Sequence, residues 1–114
     1  MYFIIMKIIT LHTRIDPTEL RNHIRLNLDR LFRQQRDITL HFRIGGEGNV
    51  IDIMQPETYG SDILFHIEVD GINLNITRSE HYTDDVNSLT VESILNELFK
   101  EVAGKSGTDL LQEG

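Results

Sequence analysis

The sequence predicts an α+β domain in the order β-α-β-β-β-β-α. The expected architecture is a largely antiparallel five-stranded sheet, open or curled into a small barrel, with two amphipathic helices. Three observations predict it: a β-branched run near the N-terminus, two hairpin patterns with glycine-containing turns, and two segments whose apolar residues recur at helical spacing.

"FIIMKIITL" (3–11) is almost continuously apolar, the pattern of a strand flanked on both sides. It lacks the basic leader and small-residue cleavage site of a secretory signal. Lys7 leaves its apolar stretch too short to span a bilayer, so no membrane partner is expected. Met6 followed by Lys7 reads as a natural start, which would make the first five residues dispensable.

"DPTEL" opens a helix. Asp16 suits the N-cap, Pro17 the first helical position, and Glu19 stands three after Asp16 as in a capping box. At about 100° per residue, Leu20, Ile24, Leu28, Leu31 and Phe32 share one face. Arg25, Arg33 and Arg36 point away from that face, with Asn22 and Asp29 between them, and Arg21 and Arg30 lie toward its flanks. The polar side of this helix is cationic.

"ITLHFRI" (38–44) alternates strictly, and "GGEG" turns it back into "NVIDIM". A turn over 45–48 would set Phe42 against Ile51, Leu40 against Ile53, and His41 against Asp52 on the polar side. "QPETYGS" reads as a loop. In "DILFHIEVDGINLNIT", Asp70-Gly71 suits a type I′ turn that pairs Val69 with Ile72, Ile67 with Leu74 and Phe65 with Ile76. Glu68 and His66 then fall on the other face, opposite Asn73 and Asn75. A polar loop, "RSEHYTDDVNS", leads to a second helix with Val91, Leu95, Leu98, Phe99 and Val102 on one face and Gly104 as its stop. One globular domain over 1–103 with a mobile tail over 104–114 is the expected organisation.

The 114 residues carry a net charge of −7, unevenly placed. Residues 1–43 hold eight basic and four acidic side chains, a net of +4; residues 44–114 hold three basic and fourteen acidic, a net of −11. Such polarity suits a basic surface that meets something anionic, either a nucleic acid or the acidic half of another subunit.

Chemistry is less well marked. With no cysteine in the chain, disulfides, thiolate catalysis and cysteine-held metals are excluded, and a reducing cytoplasm is compatible. "GKS" (104–106) lacks the glycine a P-loop needs five positions before Gly104, where Phe99 stands, and it follows a helix rather than preceding one. "GGEG" has the spacing of a backbone-clamping GxxG loop, but both flanks read as strands. "SEHYTDD" (79–85) gathers a hydroxyl, a histidine and carboxylates without the geometry nucleophilic catalysis needs.

The five histidines are scattered, none at the i, i+4 spacing of zinc hydrolases. His41, Asp52, His66 and Glu68 make the best small-ligand constellation, on the sheet's polar face. No catalytic residue, metal or cofactor is expected. The sequence therefore reads as a small cytoplasmic, non-enzymatic binding or regulatory module acting through protein–protein contacts and self-association. Its alternative is an RNA-binding regulator. Arg25, Arg33, Arg36 and Arg43 carry the contact in either case, since arginine forks suit phosphates and subunit interfaces alike. A low pI of about 5.1, Asp29 amid the arginines and few aromatic residues weigh against nucleic acid.

Overall fold

The computed structural model describes residues 3–11, 14–79, 86–105 and 110–113, with side chains over 8–11, 14–79 and 86–103. Six strands and three helices follow in the order β1 (Phe3–Leu11), α1 (Pro17–Arg36), β2 (Arg43–Gly45), β3 (Val50–Met54), α2 (Pro56–Tyr59), β4 (Ile63–Asp70), β5 (Asn73–Ser79), α3 (Val86–Lys105) and β6 (Leu110–Glu113). All strand pairings are antiparallel, in the spatial order β2-β3-β4-β5-β1-β6. The fold is α+β, with β1, β3, β4 and β5 where the sequence places strands, while the strand expected over 38–44 is reduced to β2 at its end.

The sheet is open, so the barrel alternative does not hold. Its end strands β2 and β6 do not pair with each other. The buried side chains of α1 and α3 join those of the sheet in a single cluster, and so fill the space a curled sheet would close upon. In that cluster, Leu20, Ile24, Leu28 and Phe32 of α1 and Val91, Ile94, Leu95, Leu98, Phe99 and Val102 of α3 meet Ile9, Leu11, Ile51, Ile53, Phe65, Ile67, Val69, Leu74 and Ile76. Burying each large aliphatic or aromatic side chain contributes about 1.5–3 kcal/mol. Among the described residues no helix is long and apolar enough to cross a membrane.

α1 begins as expected: Asp16 is the N-cap, its carboxylate accepting from the Thr18 amide at 2.9 Å, and Pro17 is the first helical residue. Asp37 closes it in the left-handed region, its amide donating to the Arg33 carbonyl at 2.8 Å. "QPETYGS" contains a third helix, the single turn α2, whose Gln55 carbonyl oxygen Oε1 accepts from the Thr58 amide. α3 starts at Val86, inside the stretch expected to be loop, and continues one residue past Gly104. Where the sequence reading places a mobile tail, Leu110–Glu113 pairs with β1 as a sixth strand. The remaining residues of that segment, 106–109 and 114, and those of "SEHYTDD" beyond Ser79 lie outside the described residues, as does a start before Phe3.

Two hairpin registers differ from expectation, for separate reasons. In the β4–β5 hairpin, Asp70 pairs with Asn73, Val69 with Leu74, Ile67 with Ile76 and Phe65 with Arg78. The turn residues are Gly71 and Ile72, and Gly71 alone of the two has positive φ, at 63°. This is the type II′ pattern, which asks for one glycine, whereas a type I′ turn would force Asp70 to positive φ as well. The slide moves every pair by two residues, so the apolar set keeps its face and only Ile72 is expelled to the exposed tip.

In the β2–β3 hairpin, Ile44 pairs with Ile53 and Gly45 with Asp52, and β2 is three residues long. The alternating stretch before it is not a strand because carboxylates take its backbone donors. The Phe42 amide donates to Asp29 Oδ1 at 2.9 Å and the His41 amide to Glu57 Oε1 at 3.1 Å. Phe42 packs edge-on against Phe32, with ring centroids 5.3 Å apart.

The turn between these strands uses Gly46 (φ 101°) and Gly48 (φ 60°), but the two differ in surroundings. A Cβ on Gly46 would lie 2.3 Å from the Val50 carbonyl oxygen, while one on Gly48 meets nothing within 4 Å. Gly48→Ala is expected to cost about 1–2 kcal/mol, the strain of a left-handed alanine. Gly46→Ala adds a backbone clash and should cost about 3 kcal/mol or more. Urea unfolding midpoints of the two variants measure the difference.

Candidate functional site

The cationic helix face is the feature from which a site would be built, and much of it is turned toward the protein's own backbone. Arg21 follows Leu20 at the edge of the apolar stripe, and its residue surface is only 9% exposed. Its Nη2 donates to the carbonyls of Gly48 (2.7 Å) and Val50 (3.0 Å), so one guanidinium holds the β2–β3 turn where it enters β3. One turn further along, Arg25 donates to Asn22 Oδ1 at 2.6 Å and to the Ile44 carbonyl at 3.2 Å. Arg30 donates to Asn27 Oδ1 at 2.7 Å, and Arg36 reaches across to Asn87 Oδ1 on α3 at 3.2 Å.

Of the four arginines expected to carry a contact, Arg25 and Arg36 are thus held by the fold. Arg33 and Arg43 are exposed and make no side-chain hydrogen bond or ion pair among the described residues. These two lie on different sides of the molecule. Arg43 precedes core-facing Ile44 and pairs with Met54, which puts it on the sheet face away from the helices, while Arg33 lies on α1. The four do not form one surface.

Arg33 has company of another kind. With Asp29, Arg30, Thr39, Leu40 and His41 it lines a surface recess of about 330 Å³ between the second half of α1 and the segment that Asp29 ties down. The lining carries both signs of charge around the apolar Leu40. His41 is 71% exposed there, with Nδ1 3.6 Å from Asp29 Oδ2.

The expected polar-face constellation is therefore divided. His41 stands on the α1 side and does not face Asp52, because the hairpin register and the carboxylate ties to its backbone place it there. Asp52 and His66 do meet, as directly opposed residues of β3 and β4, with His66 Nδ1 donating to Asp52 Oδ1 at 2.6 Å. Their side chains are 18% and 30% exposed. Glu68, two residues along the same face of β4, is exposed opposite Val50 and Asn75. The Asp52 carboxylate fixes the His66 ring, and Thr77 Oγ1 donates to the His66 carbonyl at 3.3 Å.

A second imidazole–carboxylate contact, His23 Nε2 to Glu101 Oε1 at 2.7 Å, links α1 to α3. No group of three or more metal-ligating side chains occurs among the described residues. Sequence reasoning missed Asp29, Arg21 and Glu57 as the residues that shape this region. Only Arg21's place beside the apolar stripe, where its stem can be buried, signals any of them.

No protein-family model, no curated protein and no solved structure matches the chain.

A double-mutant cycle on Asp52→Ala and His66→Ala should give a coupling of about 1–2 kcal/mol, between the net value of an ordinary hydrogen bond and that of a buried one to a charged group. Denaturant unfolding of the two single variants and the double variant measures it, and strictly additive losses would mean the pair is not held in solution.

Proposed function

We propose that the protein is a non-enzymatic binding module that acts in the cytoplasm through protein–protein contacts, and that its recess beside α1 receives an acidic segment of a second copy. The observation that carries this reading is the recess itself. Arg33 and Arg30 stand at its rim with His41, around the apolar Leu40, and Arg33 has no partner among the described residues. A lining of mixed charge with an apolar centre suits a peptide segment that brings carboxylates and an apolar side chain together. The chain supplies such segments from its own acidic half, residues 44–114, at net −11.

RNA recognition by the same helix asks for a row of arginines free to follow phosphates. Arg25 and Arg36 are engaged within the fold and Asp29 interrupts the row, which favours the protein-binding reading. Working in the cytoplasm is part of the proposal, and a cysteine-free chain suits that compartment.

The experiment is sedimentation equilibrium at about 50 and 200 mM salt, a range over which exposed charge contacts lose strength. Self-association that weakens several-fold with salt and is lost in Arg33→Glu supports the reading. Self-association indifferent to Arg33→Glu removes the recess from it. Binding of labelled single-stranded RNA that is steeply salt-dependent and abolished by Arg33→Glu replaces it with the RNA alternative.

A further inference from the structure

The acidic half of the chain presents one segment that matches the recess in both charge and apolarity. At the tip of the β4–β5 hairpin, Glu68 and Asp70 are exposed and make no side-chain hydrogen bond or ion pair among the described residues. Ile72 is 38% exposed in the turn itself, a position that ordinarily takes glycine or a polar residue. Among the described residues, the other exposed carboxylates of that half lack this combination. Glu57, Glu97 and Glu101 are engaged with the His41 amide, Lys100 and His23, and Glu47 stands between two glycines.

The tip is also held in place. The Leu11 amide donates to the Ile72 carbonyl and the Val69 amide to the Asn49 carbonyl, both at 2.8 Å. Asn49 Nδ2 donates back to the Val69 carbonyl at 3.1 Å. A segment fixed in this way loses little conformational freedom on binding. On the facing side, Asp29 is the one carboxylate of the recess lining, and it is taken by the Phe42 amide and by His41. Arg33 is left as the unengaged charge, in a lining that also holds the apolar Leu40.

We infer, building on the proposed role of the recess, that the segment it receives is the β4–β5 hairpin tip of a second copy, with Glu68 and Asp70 toward Arg33 and Ile72 against Leu40. One molecule cannot satisfy itself. The tip lies beside the start of α1, where Arg21 holds Gly48 and Val50 next to Asn49. Arg33 stands about 18 Å further along the helix, at 1.5 Å per residue. The contact therefore joins unlike surfaces, head to tail, and each copy added leaves one tip and one recess open. Assembly continues past the dimer unless the rotation between copies closes a ring.

The test is complementation between two variants, read by sedimentation equilibrium of the full chain in about 50 mM salt, where exposed charge contacts are retained. Arg33→Glu disables the recess and keeps the tip. Asp70→Asn/Ile72→Ser does the reverse, and since both side chains are exposed, far-ultraviolet circular dichroism should be unchanged. The unaltered protein should form species heavier than a dimer as concentration rises. Each variant alone should associate at least about tenfold more weakly, and an equimolar mixture should form a one-to-one pair that grows no further. Should Asp70→Asn/Ile72→Ser not fold, Glu68→Gln/Asp70→Asn tests the same tip. Association lost in Arg33→Glu but kept in the tip variant overturns the inference, and leaves the recess as a self-association site for another acidic segment. Association that ignores both variants, or none at any concentration, removes the proposed role of the recess and the inference with it. Two disabled variants that fail to pair on mixing also overturn it, since tip and recess are then not partners.

Discussion

The fold depends on the grip of α1 on the β2–β3 hairpin. Three consecutive turns of the helix contribute to it: Arg21 binds the Gly48 and Val50 carbonyls, Arg25 binds the Ile44 carbonyl, and Asp29 takes the Phe42 amide. Each of these is a charged group bonded to main chain, the stronger kind of hydrogen bond, and each satisfies a backbone atom at an end of the sheet where no further strand follows among the described residues. With the hairpin held this way, Ile44, Ile51 and Ile53 are presented to the core, and Phe42 is brought against Phe32.

That grip also sorts the charges of α1 into two sets. The residues that reach the hairpin or α3 belong to the architecture, and a partner would have to break intramolecular bonds to use them. What remains for recognition is the second half of the helix, where Arg33 is unengaged and the Asp29-tied segment forms the opposite wall of the recess. The acidic balance of the chain and its basic helix are thus partly reconciled inside one molecule, as the His23–Glu101 contact between α1 and α3 also shows.

Much of the architecture was legible in the sequence, and the failures share a cause. Period-two and period-3.6 patterns assign faces, and these held: Val69, Ile67 and Phe65 share a face with Leu74 and Ile76, and α1 buries the stripe read from its spacing. Registers were not legible because a two-residue slide preserves the pattern, leaving the choice to the turn backbone at Gly71 and Ile72. The fate of "ITLHFRI" was hidden for a different reason. Its alternation is real, yet Asp29 and Glu57, 13 and 16 residues away in sequence, take the amides that a ladder would use. The candidate site suffered most, since Arg21 and Arg33 are the same residue type on the same helix. Only the hairpin packed beside the first and absent from the second makes them different.

The position of β1 between β5 and β6 also governs the order in which the molecule can assemble. Its neighbours are strands at Asn73–Ser79 and Leu110–Glu113, so β1 is made well before either strand that pairs with it. At about 5–20 residues per second, the nascent Phe3–Leu11 segment waits on the order of 3–14 s before β5 exists to receive it. Local pieces, the β4–β5 hairpin and the capped α1, can form in microseconds and then wait for a loop closure spanning most of the chain. Lys7 is the one charge in this apolar run, placed as a charge that breaks an aggregation-prone segment would be during the interval when the run has no partner of its own.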